Sequence, residues 1–512
     1  MPIPADLLDD IRIDITTRHA VIDWNLHFPW WPQPADVKIL FYADGGIQFN
    51  GGSFFGLKQV IATLGVNHYP WVRFHVTTVN RISDPSADHQ NLDLASALAL
   101  DSFDELWIYS FDAAPQLTAS ELAAAKTFMD TTKGGVLITG DHADLGAAFG
   151  NLPRAGKMRL LPAPPNSGVT MNSTLRSGAN SLFEFDDQSD DTPQPLSLKW
   201  YPAGIFWRAP HQVLCSPYGP IDIFPDHQHE GEAIAPAPSP ASEWPGGVGA
   251  EVIASGTIID PNVITPRTIG VLSTYEGHPQ GVGRILADST WHHHFDINLR
   301  GLGTPGRTGY VNPGTADWET AAKKIEHFFV NAAIWLAPPA RQAEMRWAAW
   351  WPILWSDIIV EASDLRHNVR IFGKYAYDAL GRYAPQCAVW AWIWELVPVA
   401  IRKEFPRFID KGDPPPLHFY VAGAVTAALH DTFVEKGRNA AHEPPSVKDF
   451  ERVVRGAVSS AVDALAADLE STARSLRQPE NNITKAKKVT KTNKATKATS
   501  ARTATKPSNR LH

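Results

Sequence analysis

The sequence predicts an α/β fold built on a doubly wound, mostly parallel sheet, interrupted by a long loop-rich insertion and followed by a helical region. Three observations predict it. Short continuous apolar runs alternate with amphipathic segments from residue 37, acids and histidines stand directly after several of those runs, and strand signals cease after residue 340. Apolar runs without alternation are what strands covered on both faces require.

The elements follow in order. Val37–Tyr42 (VKILFY) is the first strand; the glycine-rich turn Asp44–Gly52 leads into a helical segment, Ser53–Leu64. Val72–Val79 and Glu105–Phe111 are the second and third strands. Thr118–Thr131 is an amphipathic helix, with Ser120 as a candidate cap and Leu122, Ala125 and Phe128 on one face. Gly134–Gly135 ends it, and Val136–Thr139 is the fourth strand. Residues 151–250, rich in Pro, Gly, Ser and Asn, break the rhythm as a long insertion. The rhythm returns with strands at Gly249–Ile259, Thr268–Thr274 and Arg284–Asp288, and Asp317–Leu336 is a closing helix stopped by Pro338–Pro339.

Three segments result: 1–340 as the α/β domain with 151–250 inserted, 341–477 as a Trp-rich helical domain or packed extension, and 478–512 as a basic tail. The formal charge of the whole chain is −8, while Asn481–His512 holds seven Lys, two Arg and no acid. Subtracting the tail's +9 leaves −17 on the rest, which argues against broad nucleic-acid binding by the folded part. The tail offers almost nothing to bury, so disorder is expected, with polyanion contact as its candidate role. Trp347, Trp350, Trp351 and Trp355 fall at roughly helical spacing, which reads as core or as a subunit interface, so an oligomer through this region is open.

Two cysteines, Cys215 and Cys387, form neither a disulfide framework nor a zinc-knuckle spacing, and point to a reducing cytoplasm. Met1–Asp10 lacks the features of a signal peptide, and no run reaches the length of a membrane span; the closest, Cys387–Ile401, carries Glu395 and reads as a buried helix.

Ligands of open parallel sheets bind beyond the carboxyl ends of the strands. After the first strand stand Asp44, Gly45 and Gly46; after the fourth, Gly140-Asp141-His142; after the last, Asp288 and then His292-His293-His294. Asp141, His142, Asp288, His292 and His293 are the candidate catalytic set. Asp44, Gly45, Gly46, His211 and Glu230 are candidates for contacting a small polar substrate. His227 and His229 alternate, which in an extended segment turns both rings one way, a metal-binding geometry equally compatible with a solvated acidic loop. A divalent metal is therefore a candidate cofactor. Of three consecutive histidines, at most two share a face, so at least one of His292–His294 is expected to be structural. The Gly-His-Pro-Gln-Gly run at His278 is turn chemistry. The glycine loop at 44–52 matches neither phosphate-binding glycine motif.

Glu105–Phe111, Leu117-Thr118, the helix, Gly134-Gly135 and Gly140-Asp141-His142 together resemble the trehalose-utilisation (ThuA-like) branch of the class I glutamine-amidotransferase-like superfamily. Pro210-His211-Gln212 and Gly281-Val282-Gly283-Arg284 echo its later segments, so the resemblance covers about residues 36–336. It implies a flavodoxin-like fold, with functional histidines at His142, His211 and one of His292–His294. It also marks a departure: Asp141-His142 stands where an amidotransferase keeps its cysteine, which argues against glutamine hydrolysis through a thiolate. The resulting expectation is a hydrolase or sugar-modifying enzyme, with a catalytically silent binding or scaffold protein as the alternative. Truncation at Gln478 should leave any catalysis intact and abolish heparin retention; retention by the truncated chain would rule out the tail as the polyanion contact.

Overall fold

The computed structural model describes residues 12–14, 19–21, 33–49, 55–66, 68–112, 115–141, 146–160, 194–202, 208–224, 231–258, 267–300, 316–398, 400–402, 416–435 and 445–502. Nine strands form its central sheet: β1 Ala35–Ala43, β2 Val72–Asn80, β3 His89–Gln90, β4 Glu105–Ser110, β5 Gly135–Gly140, β6 Ser197–Leu198, β7 Glu251–Ile258, β8 Arg267–Tyr275 and β9 Ile285–Asp288. Their spatial order is β6-β7-β8-β9-β5-β4-β1-β2-β3.

From β9 to β3 every pairing is parallel. Leaving out the short edge strand β3, the five strands lie in the chain-wise order 2-1-3-4-5, compatible with a flavodoxin-like fold. The chain reverses its direction of travel across the sheet between β1 and β4. One expectation changes here: the last three long strands do not continue a βα alternation. β7 pairs antiparallel with β8, and β8 antiparallel with β9. Only eight residues separate β7 from β8 and nine separate β8 from β9, and links that short cannot make a parallel crossover, which needs about a dozen residues or more.

The helices are α1 Lys58–Gly65, α2 Leu94–Leu98, α3 Ala119–Asp130, α4 Asp296–Arg300, α5 Ala316–Leu336, α6 Pro339–Ile353, α7 Asp357–Glu361, α8 Val369–Leu380, α9 Gln386–Leu396, α10 Leu417–Leu429 and α11 Val447–Arg502. α3 is capped by Thr118, not Ser120: the Thr118 hydroxyl accepts from the Glu121 amide while the Glu121 carboxylate accepts from the Thr118 amide. Pro338–Pro339 stops α5 as expected, and Pro339 then opens α6, where its missing N–H costs nothing.

The two faces of the sheet carry separate apolar layers. On one, Leu40, Tyr42, Leu106, Ile108, Val136 and Ile138 pack against α2, α3 and the turns at 147–158. On the other, Val37, Ile39, Phe41, Trp107, Tyr109 and Leu286 pack against α1 and α5, and the same cluster runs on through the buried side chains of α6 to α11. The region after residue 340 is therefore helical throughout its described part and joined to the α/β core as a packed extension. Trp347, Trp350 and Trp351 are buried, whereas Trp355 is 40% exposed. α11 continues past Gln478 to Arg502, where disorder was expected. Lys and Ala are strong helix formers, and a helix already nucleated in the core can extend along them without tertiary contacts.

Arg284, just before β9, ties the two parts together. Its side chain is 2% exposed, pairs with Glu276 at 2.9 Å and Glu395 of α9 at 2.5 Å, donates to the Trp335 carbonyl at 2.8 Å, and lies 5.0 Å over the Trp335 ring. Arg346 of α6 holds the other oxygen of Glu395 at 3.2 Å. Arg284→Ala is expected to cost about 3 kcal/mol, because it strips a partner from a mostly buried carboxylate. Urea unfolding followed by tryptophan fluorescence would read this as a lower midpoint; an unchanged midpoint would mean the network is not holding the helices to the sheet.

Candidate functional site

The loop after β9 is pinned at both ends. At its start the Ser289 amide donates to the Val271 carbonyl at 2.9 Å, and the Thr290 amide donates to Asp288 Oδ1 at 3.1 Å. At its end Asp296 accepts from the amides of Lys58 (3.0 Å) and Gln59 (2.8 Å), placing a carboxylate on the first turn of α1. Between these anchors residues 292–294 form a turn, closed by the His294 amide donating to the Trp291 carbonyl at 2.8 Å.

That turn sends the three histidines to two places. His292 stacks on Trp291 at 4.2 Å, and its Nδ1 lies 3.4 Å from the Asn298 amide nitrogen. His293 and His294 both turn back to Asp288: their Nε2 atoms lie 2.9 and 3.2 Å from the same oxygen, Oδ2. Adjacent residues share one site because the backbone is a turn, not a strand or helix, so the constraint of alternating faces does not apply. All three groups are fully buried, with ligand atoms within 4.8 Å of one another.

The surroundings are aromatic. His293 stacks on Phe224 at 3.9 Å, and Phe328 and Phe329 of α5 stand at 5.1 and 6.0 Å from its ring. Tyr109, projecting from β4, has its hydroxyl 3.3 Å from His294 Nδ1. Burial and the Asp288 charge raise the Tyr109 phenol, which stays protonated and donates to Nδ1. His294 is then the neutral tautomer whose Nε2–H donates to Asp288, and burial drives its imidazole down to about 4. Burial also opposes ionisation of Asp288, but the two imidazoles set against its Oδ2 outweigh it and hold the carboxyl at about 2. His293 differs from its neighbour. Its Nε2 is paired with Asp288 at 2.9 Å, and its Nδ1 has no hydrogen-bond partner. A carboxylate and two imidazoles, one of them with an unpartnered Nδ1, are residue types suited to zinc, iron or manganese.

Asp141 lies at the end of β5, the strand next to β9; it is 9% exposed, and its amide donates to the Ser110 carbonyl at 2.8 Å. Arg159 fastens this strand end, donating to the Gly140 carbonyl at 2.6 Å. His142, His227, His229 and Glu230 lie outside the described residues.

Asp44 ends β1, at the point where the strand order reverses. It is fully buried and accepts from Ser110 Oγ at 2.8 Å and from the Phe111 amide at 2.7 Å. Burial outweighs these bonds and, with Asp112 nearby, pushes its carboxyl up to about 7. Gly45 and Gly46 have φ of 135° and 71°; a Cβ would come within 2.4 Å of the Asp112 carboxylate at the first and 2.3 Å of the Phe111 carbonyl at the second. Both glycines are needed for two loops to pass in contact, which is a packing role. Three strand spacings separate β1 from β9, ~14 Å, so Asp44 and Asp288 are distinct centres on one edge.

His211 is elsewhere. Its Nδ1 accepts from the Val213 amide at 3.3 Å and its ring meets Trp335 edge-on at 5.0 Å, near the amino end of β9. Sequence reasoning thus joined His211 to a site from which the fold separates it. It also missed Tyr109, Phe224 and Asp296. Tyr109 could have been found from alternation along β4, which puts it on the same face as Trp107; Phe224 and Asp296 leave no local signal.

No protein-family model, no curated protein and no solved structure matches the chain.

Asp44 generates a pH prediction. Its folded-state value of about 7 lies above the ordinary carboxylate value of 3.8. The native state keeps a proton that the unfolded chain has released, so this group's contribution to stability falls as pH rises between those values, on the order of 4 kcal/mol in all. Asp44→Asn should remove that slope, destabilising the protein less at the upper end of the window than at the lower. Parallel stability-versus-pH curves for the two proteins would show that Asp44 does not titrate there.

Proposed function

We propose that this chain is a hydrolase for a small polar substrate, with Asp288, His293 and His294 as its chemical centre, on a class I glutamine-amidotransferase-like scaffold. The observation that carries the reading is the convergence of two imidazoles on one carboxylate oxygen at the carboxyl end of a parallel strand, with the buried Nδ1 of His293 lacking a hydrogen-bond partner. A buried polar atom without a partner is costly, and such atoms concentrate where a ligand or ion completes the bonding.

Within the site Asp288 stays ionised and orients His294, while Tyr109 fixes the tautomer of that ring. His293 keeps one ring nitrogen, Nδ1, without a hydrogen-bond partner. A divalent metal, if one binds, would be held by Asp288, His293 and His294, with the His294 proton moved from Nε2 to Nδ1 so that Nε2 can ligate, and would supply Lewis acidity and an acidified water. The scaffold reading is supported by the 2-1-3-4-5 strand order, while Asp141 after β5, where a thiol amidotransferase would have its nucleophile, argues against glutamine hydrolysis. Cys215 is buried in the turn after His211, away from that position. Sugar modification is the variant that the ThuA-like resemblance favours.

One observation favours the alternative of a catalytically silent binding protein: among the described residues, Asp288, His293 and His294 have no exposed surface. Metal analysis of the purified protein, with turnover of p-nitrophenyl ester, phosphate and glycoside panels, separates the two. The hydrolase reading expects near-stoichiometric zinc, manganese or iron, lost in His293→Ala, and turnover reduced at least about a hundredfold in that variant. Metal-free protein without turnover on any panel would sink it in favour of the silent alternative.

A further inference from the structure

A cavity of about 270 Å³ opens at the opposite edge of the sheet from Asp288. Glu276 follows β8 and Arg284 precedes β9, so the cavity beside them lies at the amino end of β9, whereas Asp288 lies at its carboxyl end. Its walls come from both parts of the molecule: Tyr201, His211 and Glu251 from the α/β side, Trp335 from α5, Trp390, Trp394 and Glu395 from α9, and Arg402 beyond it. The site therefore exists only because the helical extension packs on the sheet.

The charges around it are already matched. Glu251 pairs with Lys199 at 2.5 Å and accepts from the Tyr201 hydroxyl at 2.6 Å; Glu276 and Glu395 share Arg284. The aromatic faces are used as well: Arg284 stands 5.0 Å over Trp335, and Lys199 5.4 Å over Tyr201. An organic cation would find the carboxylates and these rings occupied by the protein's own cations. An anion would face three carboxylates. What remains is hydrogen-bonding capacity: the three carboxylates already have Lys199, Arg284 and Arg346, and Arg402 adds its guanidinium to the wall. Each paired carboxylate keeps spare lone pairs, and the buried Nε of Arg402 has no hydrogen-bond partner. His211, whose Nδ1 takes the Val213 amide, presents an Nε2–H donor; burial holds its imidazole down at about 4, hence neutral. Trp390 and Trp394, stacked at 5.5 Å and both partly exposed, add an apolar wall.

We propose that this cavity binds an uncharged, hydroxyl-bearing ring of about monosaccharide size, its apolar face against Trp394 and its hydroxyls shared among Glu251, Glu276, His211 and Arg402. Fixed donors and acceptors around an aromatic wall select a neutral amphipathic ring over an ion. The site is independent of the proposed hydrolytic centre and stands or falls separately from it.

Ligand-observed saturation-transfer NMR on the full chain tests it, with glucose and myo-inositol as uncharged probes and tetramethylammonium and acetate as charged ones. Irradiation of aromatic protons is expected to transfer to an uncharged ring and to neither ion. Binding should weaken at least about tenfold in Trp394→Ala and in Arg402→Gln and be unchanged in His293→Ala. Arg402→Gln, at a half-buried position, keeps the test decisive if Trp394→Ala fails to fold. Absence of transfer to both uncharged rings, preference for either ion, or undiminished binding in Arg402→Gln would overturn the proposal.

Discussion

A parallel sheet has no face that can be left to water, and the remainder of this molecule is arranged around that requirement. β4, β5 and β9 are buried along their whole length, so both sides of the sheet need apolar cover. On one side α2, α3 and the turns of the insertion supply it. On the other α1 and α5 would leave the layer incomplete, and the Trp-rich helices continue it. The helical extension is thus a consequence of the sheet's chemistry, and Arg284 is the polar fastening where the two meet.

Covering both faces leaves the strand edges as the only places where chemistry can collect. The carboxyl edge receives Asp44, Asp141 and Asp288 because each stands at the carboxyl end of a parallel strand. They do not merge into one site. Asp44 is tied to the neighbouring strand end by Ser110 and Phe111, and its environment favours the protonated form. Asp288 is surrounded by imidazoles, which favour the ionised one. Two carboxyls on one edge are driven in opposite directions by what each strand order places beside it. The amino edge gathers His211, Trp335 and α9 into a cavity of different character, balanced in charge and walled by indoles.

Much of this was legible in the residues and some was not, for identifiable reasons. The strands at Val37, Val72, Glu105 and Val136 were readable because continuous apolar runs have few other uses. The Thr118 cap was misplaced at Ser120 because both are good caps two residues apart, and only the Glu121 reciprocal bond decides between them. The antiparallel pairing of β7, β8 and β9 was missed because apolar runs look alike in either direction. His293 and His294 could not be joined on periodicity, since a turn places neighbours where neither a strand nor a helix would.

By itself the sequence determined the parallel strands of the α/β core, the absence of strand signals after residue 340 and the strand-end acids, all of which follow from local apolar pattern and breaker residues. Tertiary structure alone decided which imidazoles meet Asp288, that Asp44 stands ~14 Å away from it, and that His211 belongs to the other edge. These are matters of strand order and of loops anchored by distant partners, such as Asp296 on the first turn of α1. The spacing of residues along a chain carries no record of them.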